Sequence, residues 1–159
     1  MKKYLAKLLL AGVAASVMGA AAHAATATSQ FNAQIQIQAD CVVNSPNVLD
    51  FGTVGLLNSN VDTSMNFTVQ CTNGVNYTIA MDDGANNSGS INRMKNGTEF
   101  VQYEIYQDAA RSTVWDATST KTGVGNGDPQ THTVYGRVPP QTTPSAGTYV
   151  DTVTITVSY

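Results

Sequence analysis

Few side chains in this sequence have the type and spacing to do chemistry. Cys41 and Cys71 are its two cysteines, and 30 residues separate them. They could form a disulfide or contribute half of a metal site. A metal site needs further ligands, and His132 is the only histidine beyond position 23. A hydrolytic centre needs a nucleophile beside a base, and no serine or acid is spaced around His132 to supply one. Asp108 and Arg111 could form a catalytic pair, but their spacing suits a surface turn with an exposed ion pair better. Trp115, Tyr103 and Tyr135 could stack against a sugar, although aromatics on strand faces more commonly pack a core. Four Asn-x-Ser/Thr triplets, at Asn66, Asn76, Asn86 and Asn96, match the glycosylation sequon by composition in so Asn- and Thr-rich a chain. No phosphate loop, metal box or hydrolase triad is present. These residues therefore predict a non-enzymatic protein with no cofactor and no metal.

The compartment decides the cysteine chemistry. Lys2, Lys3 and Lys7 precede an apolar run from Leu8 to Ala22, and Ala22-His23-Ala24 supplies a small-x-small cleavage pattern. Residues 1–24 thus read as a signal peptide, too short and wrongly flanked for a membrane anchor. In an oxidising compartment the paired cysteines are expected to be bonded, stabilising the fold by roughly 3–4 kcal/mol. Beyond Ala24 the chain holds five basic and eleven acidic residues, a formal charge of −6. The acids are scattered, so neither a nucleic-acid footprint nor a basic membrane face is expected.

The elements that must position these residues are strands. Phe31, Ala33, Ile35 and Ile37 alternate with Asn32, Gln34, Gln36 and Gln38, the period of a strand with one apolar face. Further strands are expected at 41–44, 47–54, 65–71 and 75–81, with Asn73-Gly74 as a hairpin turn between the last two. Residues 83–92 read as a loop and Asn96-Gly97 as a turn. Strands follow at 100–107, 113–115 and 132–138, and residues 119–130 read as a flexible connection. Pro139-Pro140 ends the 132–138 strand, because proline offers no donor to a ladder. In the final stretch, Val153, Ile155, Val157 and Tyr159 alternate with Thr152, Thr154, Thr156 and Ser158. Many short strands between turn signals indicate a β-sandwich. The two cleanest amphipathic strands lie at opposite ends of the chain. The last ends on an apolar face with no strand after it, one short of a seven-stranded immunoglobulin topology. An edge is therefore expected to stand open.

Two blocks in the second half carry a resemblance. Residues 103–111 (YEIYQDAAR) with Trp115, and residues 134–139 (VYGRVP) continued by 144–152 (PSAGTYVDT), resemble the spore coat U domain family. The alternating strand before Cys41 and Leu49-Asp50-Phe51-Gly52 extend the resemblance over the whole chain after the signal peptide. The family includes archaic, Csu-type chaperone–usher pilins. The resemblance implies an all-β, incomplete immunoglobulin-like sandwich lacking its C-terminal strand and completed by donor-strand exchange. It implies a donor extension at residues 25–40, with Phe31, Ala33, Ile35 and Ile37 entering a neighbour. The pilin domain is residues 41–159, with Val153, Ile155, Val157 and Tyr159 on the strand at the groove edge. The implied partners are a periplasmic pilus chaperone, an outer-membrane usher and other pilin subunits, in a homo- or hetero-polymer. The implied function is a structural pilus subunit, exported to the periplasm and then the cell surface, supporting adhesion and biofilm formation. The alternative is a non-fimbrial secreted coat protein, or a small adhesin domain of the same fold.

Overall fold

The computed structural model describes residues 24–45 and 47–159, so the signal-peptide reading of residues 1–24 lies outside the described residues except for Ala24. The described residues fall into two units, which divide after Ile35. In the first, residues 24–35 form no strand and are exposed throughout.

The second unit, Gln36–Tyr159, is built of strands, with no helix among the described residues. Its strands are β1 (Cys41–Asn44), β2 (Val61–Cys71), β3 (Asn76–Met81), β4 (Asn92–Asn96), β5 (Glu99–Tyr106), β6 (Lys121–Val124), β7 (Gln130–Val138) and β8 (Ile155–Ser158). They form a five-stranded sheet in the order β1-β2-β7-β5-β4 and a three-stranded sheet in the order β6-β3-β8. Every pairing is antiparallel. Alternation builds the core. Phe67 and Val69 of β2, Val134 of β7 and Tyr103 of β5 are buried from one sheet, and Tyr77, Ile79 and Met81 of β3 from the other.

Trp115 joins the two layers. Its backbone N–H donates to the Ile105 carbonyl of β5 (2.8 Å), and its indole N–H donates to the Ile79 carbonyl of β3 (3.0 Å). The ring is 2% exposed, so both polar groups of a large buried aromatic are satisfied. The expected disulfide is present: Cys41 and Cys71 face each other across β1 and β2, bonded with Cα atoms 4.1 Å apart.

Several local expectations fail for non-local reasons. Asn73-Gly74 does turn the chain, but β2 and β3 belong to different sheets. The turn crosses between the layers and is held by Gly74 N–H donating to the Gly125 carbonyl (2.8 Å). Residues 47–54 form no strand. Residues 113–115 supply one bridge, Tyr106 to Val114, in place of a strand. β6 forms inside the expected connection at 119–130, and β4 forms between the expected loop at 83–92 and the turn at Asn96-Gly97, where no strand is expected. Ordered β structure at the C-terminus is confined to β8, with Val150 bridging to Lys95 before it.

Candidate functional site: an open apolar groove

Part of the inner face of the five-stranded sheet opens into a groove of about 1390 Å³, walled by residues 47–55 and 143–155. Its floor is apolar and comes from interior strands: Met65 of β2, Val134 and Val138 of β7, Val101 and Ile105 of β5. Met65 is half-buried and the other four are buried in the core, so the opening lies at the rim rather than over the floor. Here Val48 and Val150 on the rim remain 80% and 62% exposed.

Both sheets have a free edge strand among the described residues. β1 pairs only with β2, and β8 only with β3. Val153, Ile155 and Val157 are half-buried, and the intervening Thr154, Thr156 and Ser158 are exposed. Val153 and Ile155 line the groove, whereas Val157 and Tyr159 do not. Tyr159 is 59% exposed, and its hydroxyl donates to Asp40 (3.2 Å) just before β1. Phe31, Ile35 and Ile37 are 91%, 82% and 70% exposed, as apolar alternate positions with no strand partner.

One polar cluster interrupts the apolar wall. The Tyr103 hydroxyl donates to Asp151 Oδ2 (2.8 Å). Asp151 Oδ1 accepts the backbone N–H and side-chain amide of Asn86 at 3.1 and 3.0 Å. Gly84 packs against the same carboxylate so closely that a Cβ there would lie 2.0 Å from Oδ2. The cluster fastens the loop after β3 to the wall before β8. Burial, then the Asp151 hydrogen bond, push the Tyr103 phenol far above its ordinary range, so it stays a neutral donor. Thr154 N–H donates to Asp82 Oδ1 (2.8 Å) and extends this fastening toward β8.

The remaining chemistry-bearing residues serve the fold. Asp108 and Arg111 do not pair through their side chains. Asp108 accepts the backbone N–H groups of Ser112 and Thr113, while Arg111 turns inward and sits 3.4 Å from Asp62. Arg111 also donates to the carbonyls of Gly136 and Thr63. Asp62 takes a two-point bond from Arg137 at 2.7 and 2.8 Å, which holds its carboxyl below the usual carboxylate range. His132 is buried between the Phe67 and Tyr77 rings, with Nε2 3.1 Å from the Tyr77 hydroxyl. Trp115 and Tyr103 are core side chains, and Tyr135 is half-buried under the Arg111 guanidinium. Among the described residues no group of three or more His, Cys, Asp or Glu could hold a metal ion.

Sequence reasoning found the alternation of the last strand but missed the Tyr103–Asp151–Asn86 cluster. Its members lie far apart in sequence, and a lone Asp after a Tyr-Val pair carries no local signal.

The fold and groove define an immunoglobulin-like sandwich with an open apolar channel, in which β1 and β8 are edge strands among the described residues. Residues 27–156 match the Spore Coat Protein U domain. Protein U of Myxococcus xanthus is 32% identical over 158 residues, spanning 87% of this chain and 88% of that one. The chain belongs to the Spore Coat Protein U domain family. Its fold is similar to a chaperone–tip adhesion subunit pre-assembly complex of archaic chaperone–usher Csu pili from Acinetobacter baumannii. That match has a TM-score of 0.59 at 23% identity, covering 77% of this chain and 40% of that one. A chaperone–tip adhesin complex of CFA/I fimbriae matches with a TM-score of 0.52 at 12% identity, covering 74% and 41%. This chain thus spans about two fifths of the length of each solved chain, and the likeness at these identities is one of fold.

Proposed function

We propose that the protein is a structural subunit of a surface pilus, assembled by the chaperone–usher route through donor-strand complementation. The observation that carries this reading is an open apolar groove in the same chain as an exposed stretch of matching periodicity. Phe31, Ala33, Ile35 and Ile37 form the donor face that fills a neighbour's groove. Ile155 and Val157 of β8, with Val153 and Tyr159 flanking it, form the groove-edge stretch. Main-chain bonding to a free edge supplies affinity, and alternate side chains entering the groove supply specificity. A periplasmic chaperone occupies the groove first, and an outer-membrane usher exchanges it for the next subunit's extension. The subunit works in the periplasm transiently and at the cell surface permanently, in adhesion and biofilm formation. The fold-level likeness to chaperone-bound pilus subunits and the family membership both support this reading.

The test is deletion of residues 28–38, followed by recovery of the chaperone-bound monomer and electron microscopy of surface fibres. The monomer is expected at normal yield, with no fibre extending beyond the truncated subunit. Loss of the monomer would place the extension in its own domain, and normal fibres would remove the donor role. A second reading, a secreted coat protein, is favoured by the similarity to Protein U over nearly the full length of both chains. It predicts an amorphous surface layer in place of thin fibres in the same micrographs.

A further inference from the structure

The outward face of β4 carries Arg93 and Lys95, two of the five basic residues beyond Ala24. Met94 between them points the other way and lines the groove, which Arg93 and Lys95 do not. Neither forms an ion pair among the described residues, whereas Arg111 and Arg137 both reach Asp62. Arg93 is nonetheless fixed in place. Its guanidinium carbon lies 4.2 Å from the centroid of the Phe100 ring, and Lys95 Nζ lies 5.9 Å from the same ring. Arg93 Nε and Nη2 donate to the carbonyls of Asn86 and Asn87, each at 2.9 Å. These bonds brace a short hairpin in which Ser88 and Ile91 exchange main-chain hydrogen bonds, with Gly89 at φ 63°. One edge of the guanidinium is thus occupied, and its terminal nitrogens keep donors to spare. Nη1 has no partner among the described residues and is not buried. The exposed side chains of the hairpin and of the facing β5 position are neutral and polar: Asn87, Ser88, Ser90 and Gln102. Glu99, the nearest acid in sequence, sits on the other face of β5, where it accepts Ser145 N–H and the Tyr149 hydroxyl.

We propose that the Arg93–Lys95 corner binds carboxylated sugars, the acidic units of a polysaccharide. The free end of a guanidinium takes both oxygens of a carboxylate in one plane. Little side-chain entropy is lost, because Arg93 is already held before the ligand arrives. Lys95 adds a mobile ammonium beside it, and the neighbouring amides and hydroxyls match the hydroxyls of the ring that bears the carboxylate. The formal charge of −6 beyond Ala24 does not forbid this. At physiological salt, charges more than about 8 Å away are largely screened, so the local cations decide. A sugar acid fits better than an acidic protein surface. Phe100 is half-buried and already covered by Arg93, and Ile91, at 43% exposure, is the one apolar side chain the hairpin exposes. The corner therefore lacks the apolar centre on which a protein–protein contact depends.

The probe is an oligomer of galacturonate titrated into the full chain after signal removal, with its methyl ester as the neutral control. Binding is read from amide NMR shifts, expected at residues 86–95 and 100–102. The ester should bind at least about tenfold more weakly, the usual loss of a hydrogen bond to a charged group. Arg93→Gln should weaken galacturonate binding by about the same factor, and Arg93→Lys nearly as much, since lysine keeps the charge and loses the fork. Lys95→Gln changes an exposed side chain, so the fold should persist while affinity falls about threefold. Absent binding, equal affinity for the ester, or unchanged affinity in both Arg93→Gln and Lys95→Gln overturns the site. Self-association of the wild type that Lys95→Gln abolishes, without galacturonate binding, would make the occupant another copy and the sugar assignment wrong. Surface fibres of Lys95→Gln should match wild type, so the outcome is independent of the donor-strand reading.

Discussion

Ile35→Asp separates the stability of the subunit from its capacity to polymerise. Ile35 is 82% exposed in the isolated chain, so the substitution should change folding by no more than about 0.5 kcal/mol. In a neighbour's groove the same position would lose the ~1.5–3 kcal/mol of burying an isoleucine. It would also place a carboxylate against a floor of Met65, Val134 and Ile105, at an effective cost of several kcal/mol after relaxation. The two together amount to about 5 kcal/mol or more, over a thousandfold in the occupancy of the donated state. Gln36→Asp puts the same charge on the opposite face of the extension and should cost less than about 1 kcal/mol. The assay is export of each variant followed by non-boiled gel ladders and thermal unfolding of the purified monomer. Ile35→Asp should abolish the ladder and leave the melting curve in place, while Gln36→Asp should preserve both. Equal ladders from the two variants, or a collapsed melting curve for Ile35→Asp, would refute the assignment of faces.

Two further outcomes follow from the interior. Cys71→Ser releases β1, which among the described residues pairs only with β2. A loss of about 3–4 kcal/mol in urea unfolding is expected, and a loss under 1 kcal/mol would mean the clamp is redundant. Burial, then the Lys121 ammonium, hold the His132 imidazole below its ordinary pKa of 6.5. The unfolded chain therefore takes up a proton that the folded one resists. Stability is full above pH 6.5 and falls below it, by up to about 1.4 kcal/mol per pH unit until the folded pKa is passed. The urea midpoint of wild type should drop more between pH 7 and pH 5 than that of His132→Gln, and parallel curves would contradict the linkage.

The strands legible in the sequence were those whose alternation is answered within the same chain. β2, β5 and β7 read correctly because Phe67, Tyr103 and Val134 each have an opposing layer. Residues 47–54 carry a comparable pattern but remain irregular, since a strand exists only with a partner and sequence shows only one side of a ladder. β4 escaped notice because Met94 is the one apolar residue in Asn-Arg-Met-Lys-Asn, too little to register a period. The turn at Asn73-Gly74 was visible while its partners were not, for turn chemistry fixes a local reversal and says nothing about which sheet comes next. Arg111 was assigned to Asp108 on proximity, whereas Asp62 on β2 lies closer in space. The groove itself had no local signal: an inward-facing Met65 looks the same in sequence whether it is fully or only half covered.

The position of Trp115 gives the molecule an intrinsic optical reporter. It is the only tryptophan, it bridges β3 and β5 through its two N–H groups, and it does not line the groove. Its emission should stay blue-shifted as long as the two layers remain docked, and should respond little to whether the groove is filled. Fluorescence would therefore follow the collapse of the sandwich, while gel ladders follow the loss of the donated strand. The interval between those two transitions in denaturant would measure how far the sandwich outlasts, or fails to outlast, its borrowed strand.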